Sequence, residues 1–304
     1  MTWKTVLSMV FFIVAVTLLV FYWIIPLDKI EFGSFNPSHS NFTLNSSTEE
    51  NMQFYDNLRY SESRISYRIE SCTLQKEDDM KKAFNLIESL TILDFYEVDS
   101  NEEILVTCES KTRFEGEFFI AGEGGPTNIT QSGDFNVIQK GGVVLIRDSN
   151  CENPNIAVHE LLHALGFDHS KNPGNILYEV SRCGQEIGQD TINLINELYS
   201  IPSQPDLLFE DASATMKGKY LDVSLVVRNN GLKDSSSSKI QIYADDKLTK
   251  ELEVEPLPIG SGRIITLTNV LVLQTSVNEI KLLIDHPFEE LKKENNIIVL
   301  KVKS

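Results

Sequence analysis

Between His159 and His169 the chain reads His-Glu-Leu-Leu-His-Ala-Leu-Gly-Phe-Asp-His, gathering three of its five histidines into one short stretch. Residues four apart on an α-helix lie one turn above each other, so His159 and His163 project from one face and can reach a single ion. Ile156, Val158, Leu161, Leu162 and Leu165 give that helix a buried side. Glu160 sits one step round from His159, close enough to act on a metal-bound water rather than on the metal. Gly166 lets the backbone leave the helix with positive φ, which can return His169 as a third ligand. Three neutral imidazoles leave the fourth tetrahedral position open to water, as in a catalytic zinc site rather than a closed structural one.

His-Glu-x-x-His alone is a weak signal. Requiring Gly and His at the two further positions multiplies the chance rate by about 7% and a few per cent at ordinary composition. The full stretch is similar to HExxHxxGxxH of the metzincin metallopeptidases, and Ser170 after the third histidine looks like the matrixin branch. That resemblance implies one catalytic Zn2+ on His159, His163 and His169, with Glu160 as general base. It also implies an α/β/α catalytic domain with a mixed twisted sheet over 63–200, and it admits structural Ca2+, although no EF-hand-like loop is present. The expected reaction is peptide hydrolysis by a zinc-activated water, with Glu160 taking its proton and delivering it to the departing amine. Metzincins place a methionine turn beneath the zinc; here Asn172 to Tyr178 stands at that distance with Leu177 in the methionine's place. Its role there is packing, so a leucine of similar volume is tolerated. Tyr178 directly follows the turn residue and is assigned no zinc-switching role.

Val6 to Pro26 runs without a charge, long enough to cross a bilayer as a helix and without an Ala-x-Ala-like end. It reads as an uncleaved transmembrane anchor (1–27), with Lys4 before it and interfacial Tyr22 and Trp23 near its far end, placing the catalytic domain outside the cell. Four cysteines without metal spacing, Cys72, Cys108, Cys151 and Cys183, suggest two disulfides in an oxidising compartment. Three connectivities are open. Cys72–Cys108 with Cys151–Cys183 is the expected one, because the second bridge would tie the start of the active-site helix to the segment after the turn. Sequons at Asn41, Asn45 and Asn128 agree with an extracellular location. Residues 28–62, polar and rich in Ser and Asn, read as a flexible extracellular stalk in which His39 is solvated. It holds no cysteine of the kind that blocks zinc in matrixin propeptides.

The net charge of −17 argues against nucleic acid. Residues 63–200 hold 23 acidic and 11 basic residues (23 minus 11, hence −12), whereas 205–304 hold 15 and 13 (hence −2). In the first stretch, 65–69, 93–98, 104–108 and 142–147 read as strands, and 76–90 and 185–199 as helices. Ala121 to Pro126 reads as a glycine-rich turn. The metzincin resemblance implies that Phe118 to Gly122 before it is the sheet's edge strand, which a peptide substrate would join by β-addition.

Two prolines bracket a linker at Ile201 to Pro205. Beyond it, seven short alternating runs within 206–302 indicate an all-β immunoglobulin-like sandwich over 205–304. Val226 to Gly231 and Glu289 to Asn296 resemble the cell-adhesion-related domain (CARDB) of prokaryotic surface proteins. His286 there reads as a turn or surface residue. Expected partners are peptide and protein substrates, cell-surface proteins among them, and the membrane. The competing class is a surface adhesion protein with a degenerate or structural metal site.

Overall fold

The computed structural model describes residues 3–24, 29–33, 52–111, 113–115, 118–149, 151–274 and 276–302. The chain divides into two compact units. One comprises Ser40–Gln204 with Gly231–Lys233, the other Met1–His39, Pro205–Asn230 and Asp234–Ser304.

The first unit is a mixed α/β layer structure. Its strands are β2 (Leu58–Tyr60), β3 (Arg64–Glu70), β4 (Asp94–Glu97), β5 (Ile104–Cys108), β8 (Gly122–Ser132) and β9 (Phe135–Leu145). They pair in the order β2-β9-β5-β3-β4, all parallel, and β8 adds antiparallel to β9. The register puts Ile65, Ile104, Val106 and Val143 on one face of the sheet, where all four are fully buried, while Leu105, Thr107 and Val144 on the other face are half-buried. Helix α2 (Leu74–Leu90) starts where the Thr73 side chain accepts from Lys76 N, and lays Met80, Ala83, Phe84 and Ile87 on the sheet. Phe84 stacks on Tyr67 with centroids 4.0 Å apart. The buried Lys76 ammonium donates to the Glu109 and Ile146 carbonyls at 2.8 and 2.9 Å, using strand-end groups that no ladder satisfies. Helix α3 (Asn155–Ala164) carries the histidine stretch, and α4 (Gln189–Ser200) closes the unit. Buried Arg59 donates to the Leu198 and Ile201 carbonyls at the end of α4 and lies over the Tyr199 ring at 4.4 Å. Both expected disulfides form, Cys72–Cys108 and Cys151–Cys183.

The second unit contains α1 (Trp3–Ile24) and a sandwich of two antiparallel four-stranded sheets. The first is β1 (Lys29–Glu31), β10 (Leu207–Lys217), β11 (Tyr220–Asn229) and β14 (Gly262–Leu271). The second is β13 (Lys247–Val254), β12 (Ser238–Ala244), β15 (Glu279–Asp285) and β16 (Ile297–Lys301). Alternation is strict on the inner faces: Leu221, Val223, Leu225 and Val227 of β11 point in, as do Ile280, Leu282 and Ile284 of β15.

Three expectations need correction. The flexible stalk expected over 28–62 is cut back from both ends. Lys29–Glu31 is a strand paired with β10 and Phe32 is buried in the sandwich core, while Leu58 and Tyr60 of β2 are buried in the first unit, which therefore starts before residue 63. Residues 34–51, with His39 and the sequons at Asn41 and Asn45, lie outside the described residues. The glycine-rich segment is not a turn but the start of β8. The edge strand is accordingly Gly122–Ser132; β7 (Phe118–Ile120) instead forms a separate hairpin with β6 (Arg113–Glu115). Asn128 is exposed on β8.

Candidate metal centre

Helix α3 is buried on every side: each residue from Ala157 to Ala164 lies in the interior. What aims its polar groups is backbone supplied by other segments. His159 Nδ1 lies 2.6 Å from the Ile176 carbonyl, and His163 Nδ1 lies 2.7 Å from the Phe167 carbonyl. A carbonyl only accepts, so in the neutral rings both Nδ1 atoms carry the proton and both Nε2 atoms present lone pairs. Those Nε2 atoms stand 2.9 Å apart. Two lone pairs at that distance repel unless a cation lies between them, so the donor set fits a metal ion. Burial lowers the pKa of both imidazoles, His163 to about 4, which keeps them neutral and ligand-competent at pH 7.

His169 completes the group. Gly166 adopts φ +98°, its N–H and that of Phe167 bond back to His163 and Leu162, and the chain reverses as the sequence suggested. The exposed His169 then comes within range, and the ligand atoms of His159, His163 and His169 all lie within 4.8 Å of one another. No second such group of three occurs among the described residues.

The turn beneath the site is built by asparagines. Asn172 Oδ1 accepts from Gly174 N at 3.0 Å, Asn175 Oδ1 accepts from Leu177 N at 2.9 Å, and Ser170 N donates to the Leu177 carbonyl at 2.9 Å. This holds the Ile176 carbonyl against His159 and leaves Leu177 only 3% exposed in the core. Tyr178 is half-buried and makes no bond to the cluster. The Cys151–Cys183 disulfide and the bond from Asn155 Nδ2 to the Arg182 carbonyl, 2.7 Å, join the start of α3 to the segment after the turn.

Glu160 faces β8. A Cβ at Gly122 would come within 2.6 Å of Glu160 Cγ, and one at Gly124 would overlap the Glu160 carbonyl. These glycines therefore exist for close approach of strand to helix. Burial pushes the Glu160 carboxyl up to about 8, and the Glu123 carboxylate on β8 adds to the shift. Glu123 is itself held by Arg113 through two bonds of 2.9 Å.

One part of the site escaped the sequence reading. Met52 to Phe54 runs alongside Gly166 to Asp168: Phe54 N donates to the Gly166 carbonyl and Asp168 N to the Met52 carbonyl, both at 3.0 Å. Gln53 is locked by two bonds to the Leu58 backbone, and the Phe54 ring lies 5.7 Å from that of His163. Residues 52–54 carry no periodicity in the sequence that would have marked them.

With this geometry in view, the comparisons can be set beside it. The matrixin family model matches residues 58–200, the stretch that holds the three-histidine group, and the match suggests a zinc metallopeptidase. The CARDB model matches residues 204–299, so the chain combines a matrixin-type region with a CARDB domain. Among solved structures, a CARDB domain from Pyrococcus furiosus in complex with di-metal ions shares 21% identity, with 33% of this chain and 87% of that chain covered and a TM-score of 0.27. At that score it adds nothing to the family match.

Proposed function

We propose that the protein is a membrane-anchored extracellular zinc endopeptidase, with His159, His163 and His169 as metal ligands and Glu160 as general base. The observation that carries the reading is the apposition of two carbonyl-oriented imidazoles with His169 beside a buried carboxyl that accepts no hydrogen bond among the described residues. Bound zinc supplies a Lewis acid and lowers the pKa of water. Glu160 takes the proton of the attacking water and hands it to the leaving amine; a buried carboxyl without a fixed partner is free to hold that proton. Strand β8, paired only with β9 among the described residues, offers its other edge to an extended peptide, as the resemblance to metzincins implies. Anchoring rests on α1, which is long and apolar enough to cross a membrane, and the two disulfides support an extracellular location. The CARDB domain is a binding module for surface partners in this reading.

Purified full chain in detergent, assayed on unfolded casein beside Glu160→Ala with zinc measured on both, tests the proposal. Cleavage that depends on Glu160, with about one zinc held by each protein, is the expected result for three histidine ligands. Absence of zinc from the wild type refutes it.

A further inference from the structure

Helix α1 has 22 residues, about 33 Å at 1.5 Å per residue, so it fills a hydrocarbon core of about 30 Å and ends at the headgroups. The chain leaves it at Ile24 and enters β1 at Lys29. Five Cα steps at no more than about 3.6 Å each allow roughly 18 Å between those residues. β1 is an integral edge strand, not a free tether, because Phe32 beyond it is 2% exposed in the sandwich core and its N–H donates to the Ala214 carbonyl at 3.0 Å.

The strand registers fix which part of the sandwich that short link reaches. Lys29 pairs with Lys217, Lys217 with Tyr220, and Tyr220 with Leu271. These residues form a row across one end of the sheet, each strand about 4.8 Å from the next. Val272 is fully buried and its N–H donates to the Lys219 carbonyl at 2.8 Å, which turns the flanking Leu271 and Leu273 outward, 45% and 58% exposed. Lysines, a tyrosine and two outward leucines on one rim are what a headgroup boundary accommodates. Charge is nearly balanced there, since Lys29 pairs with Glu31 at 2.5 Å and Lys217 lies 3.6 Å from Asp222. The covalent link, rather than attraction to anionic lipid, supplies the proximity.

Resting on the reading of α1 as an uncleaved span, we infer that this end of the sandwich lies against the leaflet from which α1 emerges, with Leu271 and Leu273 in contact with lipid. The CARDB domain is then a membrane-apposed platform rather than a probe held away from the surface.

The test is photo-crosslinking of the full chain in phosphatidylcholine vesicles, with a benzophenone side chain at 273, at 261 or at 20. Ser261 adjoins the opposite end of β14, about 30 Å from Leu271 at the strand rise, and Val20 lies within α1. The expected result is lipid adduct at 20 and at 273, with position 273 exceeding 261 by about tenfold or more, as burial of an interfacial side chain predicts. Adduct at 20 with equal yields at 273 and 261 overturns the apposition while leaving the span intact. No adduct at 20 sinks the span, and the apposition with it.

Discussion

The two units bury carboxylates in opposite ways. In the sandwich, Glu290 accepts from Leu207 N at 2.9 Å and from Asn296 Nδ2 at 2.6 Å, and its Oε2 lies 2.8 Å from His286 Nε2. His286, expected at a turn or surface, is thus a buried partner with its side chain 6% exposed. Asp206 accepts from Asn295 Nδ2 at 2.9 Å. In the first unit Glu160 is equally buried yet accepts no hydrogen bond among the described residues, and the charge that bears on it is that of another carboxylate, Glu123. A buried carboxyl wrapped in donors secures a fold. One left without them costs stability and is kept where chemistry uses it.

Glu160→Gln should separate those roles most sharply. If Glu160 is the general base proposed above, its loss lowers kcat by about 10²–10⁴-fold, while Tm stays level, because the carboxyl accepts no hydrogen bond among the described residues and none is lost. Zinc content should not change. A fall in Tm with bound zinc lost would mean that Glu160 is structural after all. The converse substitution is Glu290→Ala, which strips partners from His286, Asn296 and Leu207. Breaking a buried pair this way costs about 3–5 kcal/mol, seen in denaturant unfolding of the sandwich, with kcat on small peptides unaltered.

Asp206 sharpens the comparison through pH. Burial raises its carboxyl to about 6, above the unfolded value near 4, so the folded state holds the proton more tightly. That contribution is fully present below about pH 4 and is lost as pH rises through about 6; the difference between the two values amounts to about 3 kcal/mol. Asp206→Asn should flatten the dependence of sandwich stability between pH 4 and 7, and an unchanged slope would show that another group carries it. A smaller effect is expected in the first unit from Phe54→Ala, which removes the ring beside His163. Chelator competition should show zinc held several-fold more weakly, less than the roughly 10–100-fold expected for groups that hydrogen-bond metal ligands from behind. Phe54→Tyr should restore it.

What could be read in advance follows from how local each cause is. The His159–His169 stretch carries its own helix spacing and its own reversal at Gly166, so the cluster was legible. The β11 and β15 alternations were equally so, because one buried face writes a period of two into the residues themselves. Gly122 and Gly124 were misread as a turn because the reason for glycine there is the Glu160 backbone packed against them, a contact no window of sequence contains. Lys29–Glu31 was misread as stalk for a similar reason: its partner strand, β10, lies far along the chain. The two imidazole-orienting carbonyls, Ile176 and Phe167, were invisible too, since any residue can supply a carbonyl and only the turn geometry selects which one does.

Leu177→Met gives the smallest expected effect and bears on the same question of what the site needs from its surroundings. Leu177 is buried in the core, and its backbone carries the bonds that hold the Ile176 carbonyl against His159: Leu177 N to Asn175 Oδ1 and Ser170 N to the Leu177 carbonyl. The side chain therefore fills space while the main chain does the orienting. A near-isosteric swap of this kind costs less than about 1.5 kcal/mol, and kcat and zinc affinity should move by no more than the assay error. Leu177→Ala, which empties the same space, should cost about 2–5 kcal/mol and loosen His159 with it. If Leu177→Met instead raised kcat substantially, the thioether would be contributing something beyond volume, and the leucine would mark this site as a weakened one.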